Sequence, residues 1–342
     1  MGSWPLWGLF AVFAVSGVII WRAGVVLSFT TDAIDTHFGW GEGMGGAVLL
    51  AIATNLPEVA IIAAGAYNHD LSLAVGNILG GIAIQTVVLV LLDGPGLRHP
   101  RPLSSMVGSL TIVLQGLVLI AILMLCFIGA LSPPTAMWGR TTPAELGILV
   151  VWIAGIFMVL HQQERSAWHI AREKIAKQAA FSEPNVPIIR VVIFFILAAL
   201  ATLVAGLIIA FSSEALAERA HLTGVVFGAT ILAAVTALPE VTTGLAAVRA
   251  GNYELAFADI VGGNAFLPVL FLFATLISGD PVLPGAHAPD LYLTALGALL
   301  TSVYCVGVIL RSERLVLGAG IDSIIVFVVY ICGIVGLFFV PS

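Results

Sequence analysis

Two stretches, Thr54-Asn55-Leu56-Pro57-Glu58 and Thr236-Ala237-Leu238-Pro239-Glu240, each place a carboxylate directly after a proline inside a long apolar run. Proline has no N–H to give, so Pro57 frees the carbonyl of Ala53 and Pro239 that of Val235. In hydrocarbon such a carbonyl needs another partner. A carboxyl at the centre of a membrane helix costs about 2.5–3.5 kcal/mol even on insertion scales. No lysine or arginine lies near the midpoint of any apolar run, which leaves bound cations, protons or both as compensation. Oxygen donors stand beside each acid: Thr54 and Asn55 in the first stretch, Thr236 in the second, on nearly the same helical face. A hard cation such as calcium takes 6–8 oxygens from carboxylates, amides, backbone carbonyls and water. The alternative for the two threonines is a bond back to their own helix, and both readings stay open at this point.

The runs that follow carry Val75–Gln85 (VGNILGGIAIQ) and Phe257–Leu267 (FADIVGGNAFL). Asn77, Gly81 and Gln85 are four residues apart and share one helical face; Asp259 and Gly263 repeat its first two positions. Asp259 is a third intramembrane acid, with a hydrated position nearer the end of its span as the alternative. Asn264, one residue off the face, is expected to bridge helices, and the paired glycines allow close helix approach without any ligand. The other acids (Asp32, Asp35, Glu42, Asp70, Asp93, Glu214, Glu218, Asp280, Asp290) fall at span ends or in loops, where solvation explains them. Asp322 reads as interfacial.

The elements that must position these residues follow from composition. The chain has 342 residues, 60% hydrophobic and 9% charged, against roughly 25% charged for soluble domains. About 20 apolar residues cross the hydrocarbon, and ten such runs can be marked, near 5–30, 43–66, 71–92, 105–130, 143–161, 188–213, 223–248, 253–278, 289–310 and 318–340. The first run reads as a retained helix and not a signal peptide, with the mature chain beginning near Met1. Cys126, Cys305 and Cys332 fit neither a disulfide framework nor a metal cluster and read as packing residues. No cofactor, nucleic-acid partner or obligate protein partner is expected.

Basic residues gather at 98–101, 165–190, 249 and 311–314, with only Arg140 and Arg219 on the opposite side and Arg22 inside the first run. The positive-inside rule then places both termini outside and the 162–187 connection in the cytoplasm. That connection reads as an amphipathic surface helix, with a solvated extension of the fifth span as the alternative. Sliding the second half over the first by 182 residues aligns Thr30–Leu91 with Ser212–Phe273 without a gap and pairs Leu56-Pro57-Glu58-Val59 with Leu238-Pro239-Glu240-Val241 and Gly80-Gly81 with Gly262-Gly263. Five spans per half is odd, so the second copy enters the membrane inverted. Such repeats meet at a midplane site built from broken helices. The expected fold is an all-α membrane protein of about ten transmembrane helices in two inverted five-helix repeats. Its parts are 1–161 (motif region 46–92), the linker 162–187, and 188–342 (motif region 228–274).

On these repeats, the two L-P-E stretches and the glycine-centred runs, the chain resembles the cation/calcium exchanger superfamily, particularly its prokaryotic sodium/calcium exchangers. The resemblance implies that Glu58 and Glu240 are the central calcium-binding acids. It further implies that Thr54 and Thr236 line sodium sites and that the carbonyls of Ala51 and Ala233 face ions. Asn55 and Ala237 stand where that family has serines, Gly81 and Gly263 replace two more, Gln85 replaces an asparagine and Leu267 an aspartate. The expected activity is alternating-access antiport of a cation, calcium against sodium or protons, in the cell membrane. The ligands would be Glu58, Glu240, Thr54, Asn55, Thr236, Gln85, Asp259, Ala51, Ala233 and Asn77. A cation/proton exchanger that uses no sodium is the alternative within this class. Outside it stand a cation channel and an intramembrane diacidic enzyme.

Overall fold

The structure, a computed structural model, describes residues 4–38, 45–94, 101–107, 110–165 and 187–341. The first half forms α1 (Leu6–Phe38), α2 (Gly45–Thr54), α3 (Leu56–Tyr67), α4 (Ser72–Leu92), the short α5 (Leu103–Met106), α6 (Leu110–Ala130) and α7 (Pro143–Arg165). The second forms α8 (Ile188–Ala220), α9 (Gly224–Thr236), α10 (Leu238–Arg249), α11 (Tyr253–Ser278), α12 (Ala288–Leu310) and α13 (Ile321–Leu337). A π-turn at Gly228–Leu232 interrupts α9, and a 3-10 turn at Leu267–Val269, around Pro268, interrupts α11. Among the described residues seven helices are long and apolar enough to cross a membrane, and the bent pair α9–α10 makes an eighth crossing. The broken pair α2–α3 and the shorter α13 complete ten spans in two inverted five-helix repeats.

The duplication extends to backbone detail. Helices α1 and α8 are both 33 residues long, α3 and α10 both 12, and the members of each pair start and stop 182 positions apart. The ends of α3 and α10 are closed alike. His69 and Gly251 adopt left-handed φ of 55° and 77°, and the N–H groups of Asp70 and Asn252 reach back to the carbonyls of Gly65 and Ala247 at 3.0 and 2.9 Å. This is the paired C-terminal capping that satisfies otherwise orphaned carbonyls.

The repeats interlock. Helix α4 lies against α9 and α11 against α2, while α1 packs on α10 and α8 on α3. Small residues make these crossings possible. A Cβ on Gly24 of α1 would stand 2.8 Å from Pro239 Cα, and one on Gly206 of α8 would stand 2.8 Å from Pro57 Cα. Each long helix therefore rests on the proline break of the other repeat. On α4, Gly76 and Gly80 abut the backbone of Val225 and Ala229. Burial separates centre from periphery: 83% of the apolar stretch of α4 and 78% of that of α11 lie inside, against 22% for α7 and 28% for α8. The outer helices carry their exposed leucine, isoleucine, valine and phenylalanine to lipid.

Several acids expected in solvent are buried. Asp93 is wholly enclosed and accepts from Leu103 N at 2.6 Å, Gly320 N at 2.7 Å and Ser323 Oγ at 2.6 Å. It thereby ties the end of α4 to α5 and to the start of α13. Asp290 is 4% exposed and accepts from His287 N at the start of α12. Asp70, Glu214, Glu218 and Asp280 are exposed, as expected. Glu145, which the sequence did not single out, is buried and accepts from Thr142 N, Thr141 Oγ1 and Thr275 Oγ1, joining α7 to α11. Cys126 packs in the core, but Cys332 is exposed on the outer face of α13. Arg22 lies on the exposed surface of α1. The linker expected over 162–187 falls almost entirely outside the described residues.

The α4–α9 contact leaves no room for a side chain at Gly80. Gly80→Val is expected to destabilise the protein by about 1–3 kcal/mol or more through overpacking, read as a lower midpoint of thermal unfolding in detergent, whereas Gly139→Ala, where no atom lies within 4 Å, tests only the loss of a left-handed turn residue.

Candidate functional site

The two proline breaks have the same local shape. Asn55 has φ −88° and ψ 11°, and its mate Ala237 has φ −79° and ψ 1°; both leave the helical region at ψ just as the following proline enters the first turn of a new helix. In the second copy the two helices meet at 41°. Glu58 and Glu240 occupy the first turns of α3 and α10, where the partial positive charge of a helix N-terminus favours a carboxylate. Both are fully buried. None of their four side-chain oxygens has a hydrogen-bond partner, and neither glutamate belongs to an ion pair among the described residues. They lie within electrostatic reach of each other, with Thr236 beside Glu58 and Thr54 beside Glu240. Each acid thus faces a threonine of the opposite repeat.

The hydroxyls are held by other groups. Thr236 Oγ1 lies 3.3 Å from Asn77 Oδ1 and 3.4 Å from the carbonyl of Ala233; Thr54 Oγ1 lies 3.3 Å from the carbonyl of Ala51. Asn55 Nδ2 donates to the Ala51 carbonyl at 2.6 Å, so that carbonyl is shared by two donors, while Thr236 has both Asn77 Oδ1 and the Ala233 carbonyl within reach of its single proton. Gln85 Nε2 reaches Asn55 Oδ1 at 3.4 Å, and Gln85 Oε1 is buried with no partner. All of the sequence-derived candidates Thr54, Asn55, Glu58, Asn77, Gln85, Ala233, Thr236, Glu240 and Asp259 are buried, as is Ala51.

Side-chain size couples these positions. A Cβ on Gly263 would stand 2.8 Å from Asn55 Nδ2 and 3.9 Å from Gln85 Oε1. The bare backbone of Gly263 therefore makes room for the amide of Asn55. The pseudo-symmetric counterpart is different: Ala237 replaces Asn55, Leu267 replaces Gln85, and Leu267 Cδ1 comes to 3.7 Å from the place a Cβ on Gly81 would take. One flank of the glutamate pair is a pair of amides, and the other is hydrocarbon.

Asp259 is 1% exposed and accepts from Thr243 Oγ1. Thr243 was missed in the sequence; its position three residues after Glu240, on the same face of α10, is the signal that points to it. Among the described residues no group of three or more His, Cys, Asp or Glu side chains converges on one point. Asn264 bridges helices as expected: its Nδ2 lies 3.3 Å from both the carbonyl of Ile82, its own mate in the first repeat, and Thr86 Oγ1.

Residues 8–163 and 190–336 match the family model described as sodium/calcium exchanger protein. The chain is 26% identical to the inner membrane protein YrbG of Escherichia coli (strain K12), over 82% of this chain and 83% of that protein. It superposes on the sodium-calcium exchanger NCX_Mj with a TM-score of 0.63 at 16% identity, covering 96% of this chain and 98% of the other. With the H+/Ca2+ exchanger CAX the TM-score is 0.62 at 12% identity, with coverage of 97% and 87%. At these identities the structural likeness is one of fold.

Asn264→Leu removes a buried donor from the α4–α11 contact and leaves the Ile82 carbonyl without that partner. It is expected to lower stability by about 1–3 kcal/mol, measured as a reduced unfolding midpoint.

Proposed function

The chain belongs to the sodium/calcium exchanger protein family, and from that membership we propose that it is a secondary active cation antiporter carrying calcium against sodium or protons. The observation that carries this reading is the pair Glu58 and Glu240: fully buried, at the two helix breaks of an inverted repeat, with carboxylate oxygens that have no hydrogen-bond partner and no ion-paired basic side chain among the described residues. Two unpaired carboxylates in such a place are stable only with a positive partner, and a partner that comes and goes is a transported one. Thr54, Thr236, Asn55, Asn77 and Gln85 supply neutral oxygens around them, and the carbonyls of Ala51 and Ala233 lie one turn before the two threonines. A hard cation with many oxygen ligands suits this donor set.

Interlocked repeats support exchange over channel conduction, because rocking one repeat against the other moves access to a fixed midplane site. The hydrocarbon flank formed by Ala237 and Leu267 supports protons as counter-ion, since neither residue has a side-chain oxygen for a second metal cation. The placement of both termini outside and of 162–187 in the cytoplasm rests on the ten basic residues that cluster on one side against two on the other.

Reconstituted flux tests this. In proteoliposomes, gradient-driven calcium uptake is expected from the unmodified protein and should fall to background in Glu58→Gln and in Glu240→Gln. Uptake that persists unchanged in both variants would overturn the assignment. Imposing sodium and proton gradients one at a time identifies the counter-ion: the hydrocarbon flank predicts that a pH gradient alone sustains uptake.

A further inference from the structure

The two repeats differ one helical turn beyond their glutamates. In the second repeat Thr243 follows Glu240 by three residues on α10, one turn nearer Arg249, and its hydroxyl meets Asp259 Oδ2 of α11. Thr243 is 3% exposed and Asp259 1%. The Glu240 carbonyl is also within 3.3 Å of that hydroxyl, but a threonine has a single proton to donate, and the carboxylate is the nearer and more strongly charged acceptor. The equivalent place beside Glu58, one turn nearer Tyr67, holds Ile61 and Asn77, both buried. Asn77 takes its hydrogen bond from Thr236 across the repeat boundary. On one side of the glutamate pair stands an acid with its own donor; on the other stand an amide and a hydrocarbon side chain.

Asp259 interacts electrostatically with Glu240, and among the described residues it joins no group of three or more His, Cys, Asp or Glu side chains. It stands with Thr243, one helical turn from Glu240 towards Arg249. Two identical inverted halves would offer a cation the same approach from each face. Here a buried carboxylate stands on the Arg249 side of the pair and a buried amide on the Tyr67 side.

Resting on the antiport reading above, we infer that Thr243 is a positioning residue that fixes Asp259 as a cation-binding station on the Arg249 side of Glu240, so that the cation loads more tightly from that face than from the opposite one.

The test uses the full-length protein in right-side-out and inside-out vesicles, with the half-saturating calcium concentration measured separately at each face. The unmodified protein is expected to show tighter loading at the Arg249 face. Thr243→Val, which keeps the shape and removes the donor, should raise the half-saturating concentration at that face by about tenfold, the effect of losing one hydrogen bond to a charged group, and leave the other face within about twofold. Thr243→Ser should restore the original value. Asp259→Asn, which gives the second repeat the amide of the first, should bring the two faces together. Equal shifts at both faces, no shift at either, or failure of serine to restore loading would overturn the inference. Absence of any calcium flux in the unmodified protein is a different result, and it would remove the antiport reading itself.

Discussion

Two carboxylates enclosed without donors set the terms for the whole molecule. Glu58 and Glu240 stay where they are because each begins a helix, and each begins a helix because a proline directly before it ends the previous one. The proline breaks in turn need close neighbours, since a backbone carbonyl is freed at each of them. Two 33-residue helices pack on them, each laying a glycine against the proline of the other repeat. Remove the carboxylates and the breaks have no purpose; remove the glycines and the breaks cannot be sealed.

Around this symmetric frame the chemistry is uneven. Asn55, Gln85 and Gly263 form one flank, where an absent side chain admits an amide; Ala237, Leu267 and Gly81 form the other, where apolar carbon fills the same space. Changes that look independent in the sequence are thus paired in space: Gly263 is glycine because Asn55 is not serine. The backbone of an inverted repeat constrains where the two halves come together, and its side chains are free to make those halves different.

Much of this was legible in the sequence where the signal was local or repeated. The Leu-Pro-Glu stretches, the constant offset between halves and the bridging position of Asn264 all follow from spacing and helix geometry, and the structure places them accordingly. What spacing could not reveal was burial created by distant segments. Asp93 sits at the end of a span and reads as solvated, yet its donors come from Leu103, Gly320 and Ser323, two of them more than 200 residues away. Glu145 likewise gains Thr275 only once α7 and α11 meet. The partnership of Thr243 with Asp259 required the crossing of α10 and α11, which periodicity alone does not specify.

The exchange of glycine contacts between repeats has a consequence for biogenesis. Pro57 is covered by Gly206 and Pro239 by Gly24, so the first broken helix enters the bilayer unsealed and remains so until translation has passed residue 206. During that interval the nascent half-protein carries an open backbone break and a lone glutamate with no facing copy. The first repeat therefore completes its packing only when the sixth span arrives, and neither half is expected to mature as a separate polypeptide.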